Sequence, residues 1–262
     1  MKVAAVQHDV VWEDVAATQA HLAPMIAEAA AGGARLVVLT EIYATGFSTD
    51  TDRISEPFDG PSVQFLVEQA RAHDVWVCGS VPERAPDAPA DEAPGNVLVL
   101  AAPDGTTYRY TKIHPFSYAH EDEHYRAGRH TVTVDVDGLR VSLFVCYDLR
   151  FADAFWTLAR DTDCYVVPAN WPASRREHWR ALLVARAIEN QAYVAGSTRC
   201  GSDPSVMHCG RSVIIDPRGN IIADAGSRPG TISARIRLDA LVEYRREFPV
   251  LADLRGEFFG PP

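Results

Sequence analysis

Cysteine is scarce, and its spacing forms no pattern. The five cysteines, Cys78, Cys146, Cys164, Cys200 and Cys209, are an odd set without a C-x-x-C pair, so neither a disulfide framework nor a zinc site is signalled. Reduced thiols in a cytoplasmic protein are the expectation. Positive charge is also short: 25 Lys and Arg stand against 35 Asp and Glu, a formal net charge of -10. That balance argues against a nucleic-acid footprint and lends no support to binding an anionic membrane. A local arginine cluster could still receive an anionic small substrate. No apolar run approaches the roughly 18 residues of a membrane span. The N-terminal MKVAAVQHDVVWED turns acidic after a short apolar run, which reads as a first strand and not as a signal peptide. G-x-G-x-x-G and P-loop motifs are missing, and Asp104-Gly105 and Pro217-Arg218-Gly219 read as turns. His120 and His124 share helical spacing but have no obvious third ligand, so no metal site is expected.

What is present is strand and helix punctuation. Lys2–Gln7, Arg35–Thr40 and Val75–Val81 read as strands, with helices over Ala16–Ala31 and Pro61–His73 between them. Asp104-Gly105, Asp137-Gly138 and Pro217-Arg218-Gly219-Asn220 each separate two β-rich runs and predict hairpins. Helices over Ala152–Arg160 and His178–Asn190 alternate with strands over Cys164–Pro168 and Ala192–Ser197. The pattern implies a mixed sheet with helices on one face. Two strands end alike, one at Glu41 and one at Cys146, which hints at two similar halves.

Within VVLTEIYATGF, Glu41 closes an apolar strand. An exposed strand-end acid is the common case, and a buried one needs a partner or a task. Lys112 closes a strand in YRYTKIHPF, and Cys146 closes another in LFVCYDLRF. Reactive groups collect in loops beyond strand ends in α/β folds. A thiol, an ammonium and a carboxylate make a hydrolytic set: the amine can lower the thiol pKa or hold an oxyanion, and the acid can carry a proton.

Four strings, VAAVQHD with LVVLTEIYATGF, YTKIHPF, FVCYDLRF and ANWPASRREHWRALLVARAIENQAYVAGSTRCGSD, resemble the nitrilase superfamily of carbon–nitrogen hydrolases. The last string resembles its ω-amidase branch, which hydrolyses the terminal amide of 2-oxo dicarboxylic acid monoamides. The resemblance covers nearly the whole chain. It implies one domain over residues 1–262, with a C-terminal tail from about residue 241. The implied fold class is α/β, a nitrilase-type α-β-β-α sandwich of two mixed β-sheets covered by helices.

Residue by residue, the resemblance makes Cys146 the nucleophile, Glu41 the general base and Lys112 the oxyanion-stabilising amine. The second family glutamate falls on Glu121, with Glu123 as rival in HEDEHYRAG. Ala152 stands where the family often has proline, a change expected to affect the turn only. Tyr43, Tyr147, Trp171 and Arg175 are the substrate-binding candidates, and Arg150 is expected to pair with Asp148 or Glu189. No cofactor is implied. The expected reaction releases acid and ammonia from a small carboxylic acid amide, such as 2-oxoglutaramate or 2-oxosuccinamate, through a thioester. The alternatives are another C–N substrate (nitrile, N-carbamoyl compound or aliphatic amide) or a catalytically silent binding subunit. The expected assembly is a homodimer or higher homo-oligomer, with Leu241–Phe259 packing on the partner.

Overall fold

The computed structural model describes residues 1–89 and 92–255. The chain opens with β1 (Lys2–Gln7), buried from Val3 onward. Asp14 then caps α1 (Val15–Ala31) by accepting the Ala17 N–H at 2.9 Å. There follow β2 (Leu36–Val38), the one-turn α2 (Thr51–Ile54) and α3 (Pro61–His73). Proline fits the first turn of α3, where no N–H is needed. Next come β3 (Trp76–Glu83), β4 (Gly95–Ala101) and β5 (Thr107–Thr111). A linker holds the one-turn α4 (Glu121–His124).

The second half runs β6 (Thr133–Val136), β7 (Leu139–Leu143), α5 (Ala152–Thr157), β8 (Cys164–Ala169), α6 (Arg176–Glu189) and β9 (Tyr193–Thr198). A small hairpin, β10 (Cys200–Ser202) and β11 (Met207–Cys209), precedes β12 (Val213–Ile215) and β13 (Ile221–Asp224). The chain then returns through β14 (Gly230–Arg235) to α7 (Leu238–Glu247).

The two sheets are ordered β14-β1-β2-β3-β4-β5 and β13-β12-β9-β8-β7-β6. Outward from β14, neighbours pair antiparallel, parallel, parallel, antiparallel, antiparallel. Outward from β6 the second sheet repeats the same series. The two halves are thus similar, but not in the register that the sequence hinted at. The strand before Cys146, β7, is the counterpart of β1. The strand before Glu41, β2, is the counterpart of β8, which Asn170 follows.

Strand alternation builds the layers. Val3, Leu36, Val38, Cys78, Leu98 and Leu100 meet Val136, Val141, Leu143 and Val166 between the sheets. On the other face of the first sheet, Ala4, Val6, Val37 and Val77 pack on Leu22 and Ile26 of α1 and Val63 and Leu66 of α3. The fold is the four-layer α-β-β-α sandwich.

The expectation that Leu241–Phe259 packs on a partner is corrected in part. Leu241 is buried in this chain's own core. Arg245 donates to Gln191 O and Thr162 O at 3.0 and 2.6 Å, and Gln191 Nε2 donates to Phe248 O at 2.7 Å. Phe258 and Phe259 lie outside the described residues. Among the described residues, no helix is long and apolar enough to cross a membrane.

Candidate active site

Three strand ends converge as the two sheets close on each other. Glu41 follows β2, Lys112 follows β5 and Cys146 follows β7, and all three line one pocket of about 340 Å³. Glu41 and Lys112 are each only 1% exposed. Burial at that level demands partners, and they are present. Lys112 Nζ donates to Glu41 Oε1 at 2.9 Å and to Glu121 Oε1 and Oε2 at 3.0 and 2.7 Å. Glu121, on α4, is fully buried, whereas Glu123 is exposed and pairs with His120 at 2.8 Å. The structure therefore sets Glu121, not Glu123, beside Lys112.

Asn96 of β4 completes the cluster. Its Nδ2 donates to Glu41 Oε1 at 2.9 Å and to Glu121 Oε1 at 3.1 Å. The Phe116 N–H donates to Glu121 Oε2 at 2.6 Å. Asn170 holds Glu41 twice, with its N–H to Oε2 at 2.8 Å and its Nδ2 to the backbone O at 2.9 Å.

A carboxylate offers about four acceptor positions, two per oxygen. All four on Glu121 are taken, so it has no lone pair left with which to activate water. On Glu41 the two positions of Oε1 are taken, Oε2 accepts the Asn170 N–H, and the Cys146 thiol hydrogen-bonds to the same carboxylate. The geometry thus has Glu121 orient Lys112 and leaves it no acceptor for an attacking group.

The charges decide the state of the sulfur. Two carboxylates and one ammonium leave the cluster with a net negative charge. Burial would depress the Lys112 pKa, but the charges of Glu121 and Glu41 hold it well above the ordinary amine value. Burial also raises the Glu121 pKa, against the pull of Lys112. The Cys146 thiol is pushed well above its usual pKa, first by burial and then by the Glu41 charge, with Lys112 opposing. An ammonium that lowers the thiol pKa, expected from the sequence, does not win here, because both carboxylates already claim it. Burial and the Glu41 charge thus both favour the thiol form of the sulfur over the thiolate.

Local backbone fixes the nucleophile turn. Cys146 has φ +46°, a left-handed conformation that costs a non-glycine residue about 1–3 kcal/mol. Asp148, fully buried, ties this turn to the end of β5. Its Oδ2 accepts the Val145 N–H at 3.0 Å and Tyr110 OH at 2.8 Å, and its Oδ1 accepts the His114 N–H at 2.9 Å.

The substrate-binding candidates divide. Tyr147, Trp171 and Arg175 line the pocket, and Tyr43 does not. Tyr43 is fully buried in the layer beneath α3, where its hydroxyl donates to Ser62 O at 2.6 Å. Two residues on from Glu41 it would share that residue's face in a continuing strand. The left-handed φ of +37° at Ile42 breaks that alternation. Arg150 is corrected as well. Asp148 is committed to the nucleophile turn, and Glu189 pairs with Arg186 at 2.6 Å. Arg150 instead lines the pocket, its guanidinium 5.1 Å from the centre of the Trp171 ring, with His178 Nδ1 at 3.3 Å. Arg175 lies 4.8 Å over the Tyr118 ring.

Sequence reasoning missed Asn96, Asn170, Asp148 and the pair of Asp203 and His208, 2.8 Å apart on the pocket wall. Asn96 was visible as one polar residue in the apolar run NVLVLA, and Asn170 as a polar strand end like Glu41. Among the described residues, no group of three or more His, Cys, Asp and Glu is placed to hold a metal ion.

A family model described as carbon-nitrogen hydrolase matches residues 2–246. The chain is 38% identical over 256 residues to the omega-amidase YafV of Escherichia coli strain K12, covering 97% of this chain and 96% of that relative. It is 34% identical over 233 residues to the 2-oxoglutaramate amidase of Bacillus subtilis, covering 86% and 87%. Among solved structures, XC1258 from Xanthomonas campestris, a CN-hydrolase superfamily protein with an arsenic adduct in its active site, superposes with a TM-score of 0.90. That match has 33% identity and covers 97% of each chain.

Proposed function

The chain belongs to the carbon–nitrogen hydrolase family, and from that premise we propose that it is an ω-amidase acting on the terminal amide of a 2-oxo dicarboxylic acid monoamide. The observation that carries the reading is one pocket lined by Cys146, Lys112 and Glu41 together with Arg150 and Arg175. The first three residues serve amide cleavage. The two guanidiniums serve the distal carboxylate, which arginine binds through a two-pronged hydrogen bond. Relatives named omega-amidase and 2-oxoglutaramate amidase support the substrate class.

In the proposed reaction the neutral Cys146 thiol passes its proton to Glu41 as sulfur attacks the amide carbon. Oε2 is the recipient, because Lys112 and Asn96 occupy Oε1. The Tyr147 N–H donates to the oxyanion and the Lys112 ammonium, whose three N–H groups face Glu41 and Glu121, stabilises it by its charge; one oxyanion-stabilising group is worth about 2.7–4 kcal/mol. Glu41 returns the proton to nitrogen, ammonia leaves, and a thioester remains on Cys146. Water then attacks the thioester, giving its proton to Glu41; the C–S bond breaks, Glu41 returns the proton to the Cys146 sulfur, and the dicarboxylic acid departs. Glu121 keeps Lys112 charged and in place.

The test is ammonia release from 2-oxoglutaramate and 2-oxosuccinamate, set against aliphatic nitriles, N-carbamoyl amino acids and propionamide. The reading expects the two oxo-acid amides to give the highest kcat/KM, and a nitrile or carbamoyl compound in first place would refute it. We further place the enzyme in the cytoplasm as a homo-oligomer. Support comes from the sparse, unpatterned thiols and from Val242 on α7 and Phe248 just after it, both apolar and more than half exposed. Light scattering at dilute concentration reads the assembly.

A further inference from the structure

We infer that Asn96 is a positioning residue of the reaction, whose one amide nitrogen braces the two carboxylates around Lys112 and keeps Glu41 ready to take the thiol proton. The inference rests on the proposed role of Glu41 as general base. Three observations carry it. Asn96 Nδ2 sits 2.9 Å from Glu41 Oε1 and 3.1 Å from Glu121 Oε1, so its two N–H groups serve two different acids. Its own Oδ1 is buried with no hydrogen-bond partner among the described residues. A buried acceptor left unserved is costly, and the reversed amide would set oxygen against two carboxylates. The side chain is therefore oriented by what its nitrogen does. Its backbone belongs to the same unit, because Asn96 O accepts the Lys112 N–H at 2.9 Å.

Without the brace, two like charges share one ammonium. Glu41 then has Lys112 on one side, with Glu121, Cys146 and Tyr125 as the other titratable groups around the cluster. A donor to a carboxylate favours its ionised form, so loss of the donor raises the pH at which the base becomes competent. Every step of the proposed reaction needs Glu41 ionised before it accepts a proton. The acid limb of the pH–kcat profile must therefore move to higher pH.

The experiment is a donor series at position 96. Asn96→Ser keeps one donor, Asn96→Ala keeps none, and Asn96→Asp adds a third acid. Ammonia release from 2-oxoglutaramate is followed across pH, beside wild type and Cys146→Ala. The expected result for Asn96→Ala is a kcat about ten- to a hundredfold lower, from the loss of hydrogen bonds to charged groups. Its acid limb should lie about one pH unit higher, while KM stays within about twofold because no substrate contact is removed. Asn96→Ser should fall between Asn96→Ala and wild type, and Asn96→Asp should be the worst. A folded Asn96→Ala or Asn96→Ser enzyme with its acid limb unmoved overturns the inference, since a merely structural role lowers yield and Tm without shifting the profile. Asn96→Ser carries the test if the alanine variant does not fold. A wild type inactive on the amide, or an active Cys146→Ala, would instead defeat the underlying reading.

Discussion

At the residue scale, the account turns on charge held out of water. Lys112 stands between two buried acids that would otherwise face each other and offsets one of their two charges, and removing it leaves both uncompensated. Lys112→Ala should lower unfolding stability by about 3–5 kcal/mol, as for other broken buried ion pairs. It should also lower kcat by about 10²–10³, the usual cost of one lost oxyanion-stabilising group. Urea unfolding and ammonia release measure the two effects, and a Lys112→Ala protein as stable as wild type would contradict the cluster described. Glu41, Lys112 and Cys146 were legible because each is a reactive side chain abruptly ending an apolar strand. Glu121 was named only through the family resemblance, because three acids crowd HEDEH and local pattern cannot tell a buried one from its neighbours. Tyr43 misled because closeness to Glu41 in sequence does not carry across Ile42, where the backbone leaves the β region. Arg150 misled because its two candidate acids have other partners, which only the fold reveals.

At the element scale, β5 and the segment behind it set where the amine stands. The Gly128 N–H donates to Lys112 O at 2.8 Å, and a Cβ on Gly128 would lie 2.0 Å from Thr111 O. The backbones approach too closely for any side chain. Gly128→Ala must push the segment off the end of β5, and it should cost about 1–3 kcal/mol of stability, as overpacking does, together with a fall in kcat. Thermal unfolding and ammonia release check this, and a variant with wild-type Tm and kcat would show that the approach is not needed. The hairpins at Asp104-Gly105 and Asp137-Gly138 were legible because each turn needs a glycine at positive φ, Gly138 in a two-residue turn between Val136 and Leu139 and Gly105 in the longer loop between Ala101 and Thr107. β10, β11 and β14 were not. The first two span three residues each, too few for an alternation to register. β14 exists through its pairing with β1 at the other end of the chain, a contact that no local pattern announces.

At the scale of the whole molecule, two similar six-stranded halves close face to face and seal the site between them. The same closure buries His8, whose Nε2 lies 2.9 Å from Thr40 Oγ1. Burial first, and then the Arg199 charge, lower its pKa from 6.5 to about 3. A folded pKa below the unfolded one stabilises the protein above pH 6.5, and that stability is lost as pH falls toward 3. At pH 5 the loss is about 2 kcal/mol. His8→Gln removes this titration, so the stability gap between wild type and variant should shift by that amount between pH 7 and pH 5. Urea midpoints at the two values read it, and a gap independent of pH would contradict the neutral, buried histidine. Alternating strands and helices were legible as a mixed sheet with helices on one face; the second sheet came only through the family resemblance, and the pairing of equivalent strands was not legible, since strand ends look alike until the sheets are ordered.

The most direct measurement is ammonia release from 2-oxoglutaramate by Cys146→Ala, a variant that removes only the sulfur of a partly exposed residue and should keep its circular dichroism spectrum and Tm. The account predicts that release falls to the uncatalysed background while the fold is retained. A folded Cys146→Ala protein that releases ammonia at the wild-type rate would contradict it.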